Sequence, residues 1–233
     1  MTDKHLSTQF DAELAGISTR VLEMGGIAES QVAQAMVALR HFSAETAEQV
    51  LRQEARVNQL EMEIDRELGA IIARRQPTAR DLRLLIAVHK AIANLERVGD
   101  EAARVARVVQ RLIASGASTR LPVADLRFES ELAVAQLRRA LDAFARLDTA
   151  GALEVLKHDD QIDREFEGLL RKLITYMMED PRTISASIDL VFVAKAIERV
   201  GDHAKNLAEA VIYVVKGADV RHATVAEVES ALR

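Results

Sequence analysis

No cysteine and no tryptophan occur among the 233 residues, only three prolines interrupt them, and aromatic side chains make up 3% of the composition. Without cysteine the chain has no thiol nucleophile, no disulfide, no zinc ribbon and no thiolate-held iron–sulfur cluster. Scarce proline and few β-branched or aromatic runs, set against abundant Ala, Leu, Glu and Arg, favour long helices over sheet. Long apolar runs are missing too: residues 210–215 form one of the longest, far short of a bilayer's width. Met1-Thr2-Asp3-Lys4-His5-Leu6 lacks the basic region and apolar core of a leader. A net charge of −5 with acids and bases interleaved speaks against nucleic-acid binding, which rests on neutralising phosphates. The expectation is an all-α protein of the reducing cytoplasm, large enough to bury its own core, that meets membranes only through partners.

The prolines that are present act as punctuation, because proline is tolerated in a first helical turn and breaks a helix interior. Pro77 and Pro181 lie 104 residues apart, and Pro122 follows the linker-like Ser115-Gly116-Ala117-Ser118-Thr119-Arg120-Leu121 between them. Apolar periodicity predicts helices over about 4–40, 44–74, 78–115, 122–148, 150–178 and 182–216. In the third, Leu84, Val88, Ala91, Leu95, Val98, Ala102, Val105, Val109 and Leu112 form a seam in steps of four and three. Leu190, Val193, Ile197, Val200, Ala204, Leu207, Val211 and Val215 repeat it in the sixth. With few loops left, the helices should run antiparallel as two tandem three-helix bundles, residues 1–116 and 117–217. Residues 218–233 make a polar tail with a weak helical pattern at Val225 and Val228.

The halves agree in letters as well as in pattern. Glu96-Arg97-Val98-Gly99-Asp100 recurs as Glu198-Arg199-Val200-Gly201-Asp202 at an offset of 102, and Glu54, Val57 and Asn58 align with Asp159, Ile162 and Asp163 at 105. Internal duplication accounts for both. At 100° per residue, Glu96 falls about 100° and Asp100 about 140° from the seam residue Leu95, and Glu198 and Asp202 repeat this about Ile197. Glu54 and Asn58 fall near 60° and 100° from Val57, with Glu61 and Asp65 close by. These acids border the apolar arc, so each bundle can direct acids from two helices into one groove.

Two readings of those acids stand side by side. One is a solvated salt-bridge network worth a few tenths of a kcal/mol per pair. The other is an all-oxygen ligand set for Mg²⁺, Ca²⁺, Mn²⁺ or iron. An acid pair at i and i+4 repels by a similar few tenths of a kcal/mol, and a cation between the two reverses the sign. Gly99 and Gly201 read as sites of close helix approach. His89 and His203 sit near the acids but read first as ordinary histidines. A ferritin-like di-iron enzyme wants Glu-x-x-His, which is absent, as are a phosphate-loop motif and a Gly-x-Ser-x-Gly elbow. Catalysis has no visible constellation, which leaves a regulator, a carboxylate-rich metal-binding bundle and a purely structural scaffold.

Further motifs narrow this. The two Glu-Arg-Val-Gly-Asp segments, Arg80-Asp81-Leu82-Arg83 after Pro77, residues 176–184 around Glu179-Asp180-Pro181-Arg182, Gly201-Asp202-His203-Ala204-Lys205-Asn206, Met24-Gly25-Gly26 and Gly217-Ala218-Asp219-Val220-Arg221-His222 occur in order along nearly the whole chain. In this the sequence resembles the PhoU family of phosphate-transport accessory proteins. The resemblance implies two symmetric three-helix bundles, a cytoplasmic homodimer and negative control of the phosphate-starvation response. It also implies an adaptor role between the ATPase subunit of a phosphate ABC transporter and a sensor histidine kinase. It implies multinuclear metal sites in some members (Mn, Mg, Fe or Zn), on Glu/Asp-x-x-x-Asp motifs that match Glu96 with Asp100, Glu198 with Asp202 and Asp159 with Asp163. Asn58 departs from the pattern opposite Asp163, so a first site would need Glu54 with Glu61 or Asp81 to complete it.

Overall fold

The computed structural model describes residues 8–116 and 122–232; the linker-like residues 117–121 and the expected helix start near residue 4 lie outside them. Six long helices follow the sequence periodicity: α1 Thr8–His41, α2 Ala44–Arg75, α3 Ala79–Ala114, α4 Leu126–Arg146, α5 Thr149–Glu179 and α6 Ile184–Lys216. A short α7, Val225–Leu232, ends the described chain, and no strand occurs among the described residues. The fourth helix is shorter than expected at both ends. Val123–Asp125 after Pro122 tighten into a 3₁₀ turn, and Leu147 turns left-handed at φ 51°.

The duplication extends to the turns. α1 ends on left-handed Phe42 and α4 on left-handed Leu147, each followed by a capping side chain, Ser43 or Asp148, for the next helix. Ser43 N–H reaches back to the Ala38 carbonyl at 3.0 Å and Asp148 N–H to that of Ala143 at 2.9 Å, the backbone closure that satisfies last-turn carbonyls. These tight hairpins force α2 and α5 to return antiparallel along α1 and α4.

α3 packs on α1 and α2, α6 on α4 and α5, and α3 and α6 lie along each other. Their contacts run in opposite order, Asn94 with His203 and Asn206, Glu101 with Arg199, Arg111 with Asp189, so the two central helices are antiparallel. α1 meets α4 closely enough that a Cβ on Gly25 would overlap the Leu141 side chain. One continuous core results. Every seam residue is buried except Leu84 and Val215 at the ends, which are half-buried. α3 also buries Ala87, Ala103, Ala106 and Val108, off the seam, because it has neighbours on three sides.

The tail is held as well. Thr224 and Glu227 form a reciprocal cap, with Thr224 N–H donating to Glu227 Oε2 at 2.7 Å and Glu227 N–H to Thr224 Oγ1 at 3.3 Å. Val228 is buried, Lys157 pairs with Glu229 at 2.8 Å, and Lys216 donates to the Leu232 carbonyl, fastening α7 against α5 and α6.

Candidate functional site

Two grooves, between α2 and α3 and between α5 and α6, carry the repeated acids. The repeated glycines set their width. A Cβ on Gly201 would stand 2.8 Å from Ile162 Cδ1, and one on Gly99 would stand 3.4 Å from Val57 Cγ1 and 3.2 Å from Gln31 Oε1. Val57 and Ile162 are repeat equivalents, so each glycine lets the outer helix seat its apolar side chain and brings the flanking acids across from one another.

In the α5–α6 groove the structure brings together Asp159, Asp163, Glu198 and Asp202. Burial, reinforced by Glu198, Asp159 and Asp163, pushes the Asp202 carboxyl up to about 6. Burial with Asp159 and Glu198 raises Asp163 in the same direction. Asp159 is buried and accepts from Lys205 Nζ at 2.5 Å and Gln136 Nε2 at 3.3 Å. Glu198 Oε1 accepts from Lys195 Nζ at 2.6 Å, whereas its Oε2 is buried with no hydrogen-bond partner. Lys195 also lies 5.2 Å from the centre of the Phe166 ring.

The α2–α3 groove holds Glu54, Asn58, Glu61, Glu96 and Asp100. Burial raises Glu96, with Asp100, Glu61 and Glu54 adding to it, and burial with Asp65 raises Glu61. Cations fill much of this groove. Arg107 grips both oxygens of Glu54 at 2.9 Å, and Arg97 stands 3.3 Å from Asp100 and 3.4 Å from Glu96. The α6 counterpart of Arg107 is Glu209, so the neutralising residue is not repeated. Asp81 does not join. It lies in the first turn of α3, about 22 Å from Glu96 along the helix axis at 1.5 Å per residue.

The histidines sit elsewhere. His89 is exposed with its Nδ1 3.0 Å from Asp65, and His203 turns towards α3, 2.9 Å from Asn94 Oδ1. Burial, with Arg97 and Arg199 beside it, pushes His203 down to about 4 and keeps the imidazole neutral. An acid outside the repeats is the most perturbed of the group. Glu129 on α4 is 2% exposed, neither carboxylate oxygen has a partner, and burial with Glu165 and Glu198 nearby pushes it up to about 8. The repeat comparison passed over it because its first-half counterpart at an offset of 105 is Met24. Its signal was its place within the apolar arc formed by Leu126, Ala133, Leu137 and Ala140.

Among the described residues no three His, Asp or Glu side chains stand close enough together to share one metal ion. The donor chemistry of the two grooves differs all the same. The first has an amide where the second has Asp163, and two arginines tie up its acids. The second keeps an orphaned buried carboxylate oxygen and two acids raised by burial and by the acids around them, which suits a hard, oxygen-preferring cation better than zinc.

A duplicated bundle of long helices, carrying acid-lined grooves at equivalent places in each half, defines the class. The PhoU domain matches residues 21–109 and 126–211, one match in each half. The chain is 51% identical over 223 residues to a phosphate-specific transport system accessory protein PhoU homolog of Burkholderia sp, covering 95% of both chains. It is 41% identical over 220 residues to the phosphate-specific transport system accessory protein PhoU of Escherichia coli K12, covering 94% of this chain and 90% of that one. The crystal structure of PhoU from Pseudomonas aeruginosa superposes with a TM-score of 0.86 at 44% identity, over 90% of this chain and 100% of that one. The chain belongs to the PhoU family.

Proposed function

We propose that this chain is an accessory regulator of phosphate transport that holds the phosphate-starvation response off when phosphate is plentiful. The observation that carries this is the family match in both halves, together with relatives named as phosphate-transport accessory proteins over almost the full chain. The reading is non-enzymatic. As an adaptor between the ATPase subunit of the phosphate ABC transporter and a sensor histidine kinase, the protein acts by binding one signalling state of each partner more tightly than the other, which couples the two by linkage. No described helix is long and apolar enough to cross a membrane, so contact with a membrane system runs through such partners in this reading. Deleting the gene and assaying phosphate-regulated alkaline phosphatase in rich phosphate tests it. Enzyme made constitutively is the expected result, and unchanged repression refutes the proposal.

The α5–α6 groove supports a second reading, that Asp159, Asp163, Glu198 and Asp202 hold a divalent or trivalent cation. The orphaned Glu198 oxygen and the raised Asp202 favour it, because a cation there relieves both. What such an ion supplies is positive charge that fixes α5 against α6. Binding requires Lys195 and Lys205 to release their carboxylates. Metal content of the untagged protein should fall several-fold in Glu198→Ala/Asp202→Ala and stay unchanged in Glu96→Ala/Asp100→Ala. Equal metal in all three proteins removes the groove from consideration.

A further inference from the structure

We infer that the cavity bounded by α3, α6 and the turn after α6 is a binding site for a sugar phosphate monoester, the unit shared by free sugar phosphates and mononucleotides. The cavity holds about 330 Å³, at the small end of ligand pockets, and runs along α6 from Asn206 past Glu209 to Tyr213, about 10 Å at 1.5 Å per residue. Lys90 and Ala93 of α3 and Asp219 and Arg221 of the turn complete it. Two sequence motifs that the acid grooves leave unused place this turn. Gly217, left-handed at φ 73°, ends α6, and Arg83 lies beside it with its Nε donating to the Val214 carbonyl at 3.3 Å. Val220 is buried, which leaves its neighbours Asp219 and Arg221 at the cavity.

One cation and one acid face the cavity without partners. Lys90 is half-buried with its Nζ 5.1 Å from the centre of the Tyr213 ring, and among the described residues its ammonium makes no hydrogen bond or ion pair. Glu209, half-buried on the facing helix, makes none either, and burial raises its carboxyl. Polar groups drawn from water without partners cost free energy, and a ligand that brings an anion to one and a donor to the other removes that cost. The anion end is the more strongly built. Asp219 orients the Arg221 fork, accepting from its Nε at 3.0 Å, and Arg221 with Lys90 behind it lowers Asp219 to about 2, so both cations stand at one end. Two cations around one acid leave that end positive. A point charge and a planar fork converging there suit phosphate, with its several acceptor oxygens, better than a lone carboxylate. Glu209 stands one turn from Tyr213, about 6 Å along α6, where its carboxylate can accept from sugar hydroxyls as an acid does at the ribose of dinucleotide sites. Asn206 gives its Nδ2 to Asn94 Oδ1 at 2.9 Å, which leaves its own carbonyl oxygen as a further acceptor. The duplication supplies a contrast. At an offset of 102, Phe192 stands for Lys90, and Arg107 and Arg111 stand for Glu209 and Tyr213; both arginines are engaged, with Glu54 and Asp189. The unpaired charges are thus particular to this end of the α3–α6 pair.

Calorimetric titration of the purified chain with ribose 5-phosphate, adenosine monophosphate, inorganic phosphate and adenosine tests this. At least one of the two esters should bind, about tenfold or more tighter than inorganic phosphate and adenosine. Equal affinity for the esters assigns the site to the shared sugar phosphate, a tighter nucleotide to mononucleotides, and a tighter ribose 5-phosphate to free sugar phosphates. Lys90→Met and Glu209→Gln each remove one charge-assisted hydrogen bond and should weaken ester binding about ten- to a hundredfold. Ala93→Leu fills the cavity from an exposed helix position and should abolish binding with unchanged thermal melting, whereas Arg164→Met, exposed on α5, should leave binding unchanged. No binding of either ester at about 10 mM overturns the inference, as does inorganic phosphate binding as tightly as the esters. Ester binding that survives Lys90→Met and Ala93→Leu overturns it too. Every titration reads the purified chain alone, so the binding site and the regulatory role fail separately.

Discussion

Glu129→Leu should raise the stability of the protein at pH 8.5 by about 3 kcal/mol and have a much smaller effect near pH 5. Glu129 sits in the apolar arc of α4 with both oxygens unpartnered and with Glu165 and Glu198 as its charged neighbours. Its carboxyl moves from the ordinary 4.5 up to about 8 on folding. The folded chain therefore binds this proton more tightly than the unfolded chain does. Its contribution is fully present below pH 4.5 and is lost as pH rises through about 8, where the folded protein must bury a charge without a partner. Leucine removes the charge and fills similar volume. For a chain of this size each kcal/mol is worth about 2–4 °C, so the melting temperature should rise by about 6–12 °C at pH 8.5. Asp202, raised to about 6, slopes the wild-type curve in the same direction, so the difference between wild type and variant isolates Glu129. Equal melting of the two proteins at pH 8.5 would show that Glu129 finds a partner or water in solution.

The contrast between Glu129 and Glu198 marks how far the site was legible in the sequence. Glu198 was found because its motif recurs and because its helical phase, about 100° from Ile197, places it at the edge of the apolar arc. Glu129 recurs nowhere, and a search for repeated acids is blind to it. The neutralising cations were also invisible, since Arg107 reaches Glu54 and Lys205 reaches Asp159 from other helices, and a one-dimensional pattern does not say how far a long side chain extends. Asp81 failed for the converse reason: it belongs to a family motif but stands four turns from the groove, because nearness in a motif is not nearness along a helix that rises 1.5 Å per residue.

The fold was legible almost to the helix ends because its signals are local. Leu95 and Ile197 lie on seams whose period is fixed by helix geometry, and both are buried. The join between the halves was not legible. Periodicity tells which face of α3 is covered and not by what, so two tandem bundles and two halves welded along α3 and α6 predict the same seam. The trace of that extra neighbour was Ala87 and Val108, buried about 80° and 140° round from Leu95 on the side that carries Asn94 and Glu101. Gly217 and Leu147 show the same division among turns. Glycine announces a left-handed helix end, at φ 73°, whereas leucine at φ 51° adopts it only because the Asp148 cap and the return of α5 require it.

Welding along α3 and α6 leads to the expectation that the two halves unfold together. Leu95→Ala and Ile197→Ala each remove most of a side chain exposed by no more than 1% and should each cost about 2–5 kcal/mol, lowering the melting temperature by roughly 4–20 °C. In the antiparallel pair the two positions are offset by about 12 Å along the helix axes, far enough for the losses to be nearly additive in the double variant. The decisive observation is which signals move. Both tyrosines, Tyr176 and Tyr213, lie in the second half and tryptophan is absent, so intrinsic fluorescence reports α5 and α6 while far-ultraviolet circular dichroism reports every helix. Leu95→Ala lies in the first half, yet with one shared core it must shift the tyrosine transition and the dichroism transition by the same amount. Two bundles stable on their own would instead leave tyrosine fluorescence at its wild-type midpoint and split the dichroism curve in two, and that result would refute a single cooperative core.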